Sequence, residues 1–135
     1  MTNNNDDKKK NNKRILLIDD EPDIIYSIKR VLENNNEFVV DSYTDPTLAL
    51  SNFRPGLYDL ILLDIKMPKA DGFKLYQKIM EIDSTAKICF LTASELFYEH
   101  LRLDVYPRLD KAYFIQKPFR LEQLIRKINE ILNSQ

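Results

Sequence analysis

Short blocks of consecutive apolar residues alternate with longer stretches in which apolar positions recur every three or four residues. Ile15-Leu16-Leu17-Ile18, Leu60-Ile61-Leu62-Leu63 and Ile88-Cys89-Phe90-Leu91 are blocks of the first kind. A continuous apolar run bounded by polar residues suits a strand buried on both faces, whereas strict alternation would suit a strand with one wet face. Phe38-Val39-Val40 and Tyr113-Phe114-Ile115 predict two more short strands. The helical pattern begins at Pro22, a residue well suited to the first helical position, and continues through Ile24, Ile25, Ile28, Val31 and Leu32 until Asn34-Asn35-Asn36. Asp45-Pro46 reads as an N-cap followed by the first residue of a second helix. Pro55-Gly56 marks a turn in which glycine supplies positive φ. Phe73, Tyr76, Ile79 and Met80 describe a third helix, residues 95–105 a fourth, and Leu121, Leu124, Ile125, Ile128, Ile131 and Leu132 a long fifth.

Five strands alternating with five helices predict an α/β fold, a doubly wound parallel sheet covered on both faces in one domain. That domain is expected to span residues 14–135. Residues 1–13, MTNNNDDKKKNNK, carry no apolar side chain after Met1, and burial there cannot repay the entropy of ordering. They read as a disordered, solubilising leader.

Charge refines the picture. The chain has 135 residues and a formal net charge of −1, and since residues 1–14 carry +3 the rest carries −4. An acidic body argues against nucleic acid as a direct partner. One cysteine, Cys89, leaves no internal disulfide and reads as a small buried hydrophobe in a reducing compartment. One histidine, His100, leaves no multi-histidine metal site within the chain and is read as a surface or edge residue. No stretch reaches the ~18 apolar residues of a membrane span, so the expected location is the cytosol.

In a parallel α/β sheet the ligand site lies beyond the carboxyl ends of the strands, near the switch in strand order. Asp19, Asp20 and Glu21 follow the first predicted strand and Asp64 the third; Thr92, Ala93 and Ser94 follow the fourth and Lys117-Pro118 the fifth. Crowded carboxylates repel unless a cation neutralises them, and an all-oxygen set suits Mg²⁺, which keeps several positions for water or phosphate oxygens. A hydroxyl and a lysine opposite the acids complete a cradle for a phosphoryl group. No G-x-x-x-x-G-K-[ST] or G-x-G-x-x-G occurs, and Gly56 and Gly72 are the only glycines. The phosphoryl group is therefore expected on another protein or a small donor.

Asp19-Asp20-Glu21-Pro22, Leu62-Leu63-Asp64-Ile65-Lys66-Met67-Pro68 with Asp71-Gly72, Leu91-Thr92-Ala93-Ser94 and Lys117-Pro118-Phe119 occur in order at predicted strand ends. Together they resemble the receiver domain of two-component response regulators, over residues 14 to about 133. The resemblance implies a flavodoxin/CheY-like fold with Asp64 as phosphoacceptor, supplied by a histidine kinase or phosphotransfer protein. It implies Mg²⁺ bound by Asp20, by Asp19 mainly through water, by Asp64 and by the backbone carbonyl of Lys66. Thr92 would hydrogen-bond the phosphoryl oxygen, Lys117 would pair with it, and Phe114 would occupy the aromatic switch position. Lys66 and Ser94 would flank the phosphoryl group, and the Lys117-Pro118 peptide would be cis. The surface of the fourth helix, fifth strand and last helix would meet an output partner that the sequence does not identify, or a second copy of the chain.

Simpler roles compete at several positions. Asp19 or Asp20 can cap the helix at Pro22, Glu21 can be a solvated first-turn acid favoured by the helix dipole, and Asp71 can cap the third helix. Asp59 reads as a turn residue at the sheet end away from the site. Residues 95–113 lack the small-residue stretch usual in receivers, and Leu96, Phe97, Leu101, Leu103 and Tyr106 exceed what one buried helix face requires. They are read as an exposed partner-binding patch. Two other functions stay in view. A phosphorylation-independent interaction module would use the same fold. A Mg²⁺-dependent phosphohydrolase with an aspartate nucleophile would want an acid two residues after Asp64, where Lys66 stands.

Overall fold

The structure is a computed structural model that describes residues 12–34, 37–67, 70–92 and 113–134. A five-stranded sheet is built from β1 (Lys13–Ile18), β2 (Phe38–Tyr43), β3 (Leu60–Asp64), β6 (Ile88–Thr92) and β7 (Tyr113–Gln116) in the order β2-β1-β3-β6-β7, with every pairing parallel. The order reverses at β1/β3, which makes the groove beyond their carboxyl ends the expected ligand site. A two-residue ribbon that the hydrophobic pattern does not foreshadow, β4 (Lys66–Met67) against β5 (Ala70–Asp71), follows β3.

The helices are α1 (Pro22–Asn34), α2 (Pro46–Asn52), α3 (Gly72–Ile82) and α4 (Leu121–Asn133). Residues 95–105, read as a further helix, lie outside the described residues, as do the apolar patch within 96–106, Ser94 and His100. Residues 1–11 of the expected leader are outside them too, and β1 begins at Lys13.

The period of two along each strand divides the core. Ile15, Leu17, Leu60, Leu62, Cys89 and Leu91 pack with Ile25, Ile28 and Leu32 of α1 and Leu124, Ile128 and Ile131 of α4. Leu16, Ile18, Ile61, Leu63, Ile88 and Phe90 pack on the other face with Ala49 of α2 and Phe73, Leu75 and Ile79 of α3. All five residues of β3 are buried, which is why this strand reads as an unbroken apolar run. Cys89 is fully buried, and desolvation pushes its thiol up to about 12.

Local chemistry sets several element ends. Asp45 caps α2 by accepting from the Thr47 amide with Pro46 in the first turn, and Asp71 caps α3 by accepting from the Phe73 amide at 2.9 Å. Gly56 takes φ +74° in the turn before β3. At the amino ends of the strands Asp59 is more than a turn residue: its carboxylate accepts from the Arg14 amide at 2.7 Å and its own amide donates to the Arg14 carbonyl.

The far end of α4 is held by tertiary contacts. Lys87 Nζ donates to the carbonyls of Ile131 and Ser134 at 3.1 and 2.7 Å, and the Tyr113 and Ser134 hydroxyls lie 2.9 Å apart. A cation on the last carbonyls of a helix satisfies acceptors that have no intrahelical donor and complements the helix dipole.

Candidate functional site

The carboxyl ends of β1, β3, β6 and β7 carry the candidate residues. Ile18, Leu63, Phe90 and Phe114 stand in one row of the parallel register, so the polar residues that follow along each strand emerge at one edge of the sheet. Asp19, Asp64 and Thr92 are all buried there, polar groups in an otherwise apolar interior. Lys117 reaches this group from beyond β7, its side chain 15% exposed. Its ammonium donates to Asp19 Oδ2 at 3.0 Å and stands 3.6 Å from Asp64 Oδ1. Residues 98 positions apart in sequence thus make a direct ion pair.

The Lys117-Pro118 peptide is cis, as the resemblance implies. Thr92 and Gln116 are partners in the β6/β7 register, and the Lys117 amide donates to the Thr92 carbonyl at 2.6 Å, so the two residues are tied through the backbone.

The electrostatics follow from crowding. Burial, and then the charge of Asp19, push the Asp64 carboxyl up to about 7; Lys117 opposes the shift, while the hydrogen bond and charge of Asp20 add to it. Burial alone would lower the Lys117 pKa, but the hydrogen bond and charge of Asp19, with Asp64 and Glu21, outweigh it and raise the value above normal. The acids are therefore under-compensated: among the described residues one lysine, Lys117, faces Asp19, Asp64 and Glu21. One carboxylate oxygen from each of Asp19, Asp20 and Glu21 lies within a mutual 4.8 Å, and all the donors are oxygen. A small hard cation fits that donor set.

Two simpler expectations are revised. Asp19 is not the cap of α1. Its Oδ1 accepts from the Glu21 amide at 2.9 Å, one residue ahead of the helix, and so bends the chain into it. Glu21 stands just ahead of the first turn of α1 and is exposed, but its Oε1 lies 3.7 Å from Lys117 Nζ and makes it part of the site. Sequence reading missed that, because the turn closed by Asp19 sets the direction in which Glu21 reaches.

Gly72 is the other contributor. A Cβ at this position would lie 2.6 Å from Ile65 Cα and 2.8 Å from Ile65 O, and closer still to the carbonyl of Asp64. The start of α3 therefore rests directly on the backbone that carries Asp64. Phe114 sits half-buried on β7 and stacks on Phe90, with ring centroids 5.1 Å apart. Phe90 also meets Phe73 and Tyr76 at 5.2 and 5.4 Å.

The family model of the response regulator receiver domain matches residues 15–129. The chain belongs to the response regulator receiver domain family. As a receiver it is 34% identical over 109 residues to the transcriptional regulatory protein DltR of Streptococcus agalactiae, covering 80% of this chain and 46% of that protein. It is 31% identical over 106 residues to the chemotaxis protein CheY of Bacillus subtilis, covering 78% of this chain and 86% of CheY. The receiver thus spans about half the length of some curated relatives and most of another. Among solved structures, the non-phosphorylated HemR receiver domain of Leptospira biflexa superposes with a TM-score of 0.81 at 29% identity, covering 91% of this chain and 96% of that one. The response regulator TrrA of Thermotoga maritima, solved in complex with Mg²⁺ and BeF, gives 0.72 at 33% identity, covering 88% of this chain and 98% of that one. Receivers of this family are signalling domains. No helix among the described residues is long and apolar enough to cross a membrane.

Proposed function

We propose that Asp64 accepts a phosphoryl group from the phosphohistidine of a histidine kinase or phosphotransfer protein, and that the phosphorylated chain presents an altered surface to a partner. The observation that carries this reading is the ion-paired group at one sheet edge, in which Lys117 Nζ lies 3.0 Å from Asp19 and 3.6 Å from Asp64. A buried carboxylate beside one lysine, with further acids at hand, is a nucleophile awaiting more positive charge. That TrrA, 33% identical, is described with Mg²⁺ and BeF supports the same chemistry here.

Mg²⁺ would be held by Asp19, Asp20, Asp64 and the backbone carbonyl of Lys66, and when bound it supplies the charge that lets the carboxylates and an incoming phosphoryl group share one site. Asp64 Oδ attacks phosphorus, the P–N bond breaks, and the electron pair leaves on the imidazole nitrogen, giving an acyl phosphate. Lys117 pairs with the phosphoryl oxygens and Thr92 hydrogen-bonds one of them. Phe114 then changes its packing on Phe90, and the face formed by the fourth expected helix, β7 and α4 reads the change, through either a partner protein or a second copy of the chain. Within this reading residues 14–135 are the receiver, residues 1–13 a leader, and the cytoplasm the place of work.

The test is mass spectrometry after incubation with Mg²⁺ and acetyl phosphate. One acid-stable, base-labile phosphate is expected on the wild type and none on Asp64→Asn. An unaltered mass under conditions that label other receivers would sink the proposal. Turnover of a phosphomonoester would instead favour the hydrolase reading, against which Lys66 two residues after Asp64 already counts.

A further inference from the structure

Lys117 is held by more acid than its partnership with a phosphoryl group requires. Asp19 Oδ2 is at 3.0 Å, Asp64 Oδ1 at 3.6 Å and Glu21 Oε1 at 3.7 Å. Both oxygens of Asp19 are engaged, Oδ1 by the Glu21 amide at 2.9 Å and Oδ2 by Lys117, and its side chain is wholly buried. A cation, or a cation's water, drawn to Asp19 competes with Lys117 for the charge on Oδ2 and repels the ammonium. An ammonium only 15% exposed is costly to leave without an acceptor. Asp64 relieves it only in part, because a cation held by Asp64 draws on the same carboxylate charge. Glu21 is the third carboxylate within reach, and at 59% exposure it can shift toward Lys117 without disturbing the core.

We propose that Glu21 is a positioning residue for Lys117: it receives the ammonium when Asp19 turns to the cation, and so eases cation entry. The inference rests on the receiver reading above. It assigns Glu21 a task distinct from a direct contribution to cation binding, because it acts through Lys117. The two mechanisms separate in a double-mutant cycle, since an interaction routed through Lys117 disappears when Lys117 is removed.

Cation binding is measured without phosphodonor, by calorimetry with Mg²⁺ and by water-proton relaxation with Mn²⁺, on wild type, Glu21→Gln, Lys117→Met and the double variant. In the wild-type background Glu21→Gln is expected to weaken the cation on the order of three- to tenfold, the scale of one ion pair. In the Lys117→Met background Asp19 is already released, and the same change is expected to alter affinity less than about twofold on that scale. Lys117→Gln replaces Lys117→Met if the latter loses the wild-type circular dichroism. Unchanged affinity for Glu21→Gln would overturn the inference. So would a loss of equal size in both backgrounds, which would put Glu21 on the cation itself. A wild type that binds neither ion would overturn the receiver reading and this inference with it, whereas binding by the wild type with no coupling in the cycle overturns the inference alone.

Discussion

Gly72 permits a prediction in which two opposing effects can be weighed. Replacing glycine by alanine within a helix ordinarily stabilises a protein by roughly 0.5–1 kcal/mol, through the freedom removed from the unfolded chain. Here the new methyl would stand 2.6 Å from Ile65 Cα and 2.8 Å from Ile65 O, distances real Cβ atoms essentially never show. Those neighbours are backbone at the end of β3, which is paired on both sides by β1 and β6, so no side chain can rotate away. Forcing a methyl into filled space costs about 1–3 kcal/mol, and a backbone clash belongs at the upper end. The clash wins, and Gly72→Ala should lose about 2 kcal/mol, which for a domain of this size is roughly a 6–12 °C fall in Tm. The same displacement moves the Asp64 backbone. Misplacing a reacting group by about 1 Å can cost on the order of a hundredfold in rate, so phosphorylation should slow by more than the stability loss accounts for. Thermal unfolding by circular dichroism and the rate of labelling by acetyl phosphate at a temperature where both proteins are folded are the assays. A Gly72→Ala protein that melts at or above the wild type and labels at the same rate would show that α3 does not rest on the Asp64 backbone.

Three further outcomes follow from the geometry. Because the Asp64 carboxyl is pushed up to about 7 in the folded chain against ~3.9 unfolded, the cation-free protein should lose stability as pH rises between those values. Asp64→Asn should abolish that loss, so that the variant gains on the wild type as pH rises, and chemical denaturation at pH 4 and 8 checks it. Lys87→Met removes the donor to the Ile131 and Ser134 carbonyls and should cost about 1–3 kcal/mol, with faster amide exchange confined to the last turn of α4. Asp83 is held below the usual carboxylate range by the Thr85 hydroxyl and then by the Gly56 amide, so its contribution is present above ~3.9 and is lost as pH falls below that value. Asp83→Asn should therefore flatten the acid limb of the stability curve, and equal slopes for the two proteins would contradict the assignment.

How much of this was legible in the sequence depends on the kind of contact. The five strands and the two-sided cover are written in side-chain periodicity, and the Asp19–Lys117 pair could be anticipated because each residue follows a strand in a parallel sheet. The helix caps at Asp45 and Asp71 were readable for a similar reason: the side chain and the amide it accepts from are two residues apart. Glu21 was not, because its direction depends on the turn that Asp19 closes, and a first-turn acid looks the same in sequence whether it faces water or a lysine. Gly72 was visible as part of a motif but not as a contact, since what it touches is backbone. Lys87 met its helix 44 residues away, a cap that no local pattern announces. The β4/β5 ribbon has two residues a side, too short for periodicity to register.

These contacts bear on how a change at Asp64 could leave the site. The backbone of Asp64 and Ile65 touches Gly72, Gly72 is followed by Phe73, and Phe73 packs on Phe90 with centroids 5.2 Å apart. Phe90 in turn stacks on Phe114 at 5.1 Å, and Phe114 lies on β7, the edge strand that leads into Lys117. Asp64 and Lys117 are thus joined twice, once directly across the site and once around a loop of aromatic rings. A contiguous contact becomes a signal route only where some member has two arrangements that both ends can bias. Phe73 and Phe90 are fully enclosed, which leaves them little freedom to repack. Phe114 is half-buried at the edge of the sheet, so the member of the ring with solvent beside it is the one three residues from Lys117. Under the proposed function, a movement of Lys117 toward a phosphoryl group would meet the least resistance at Phe114, the partly exposed member of the ring.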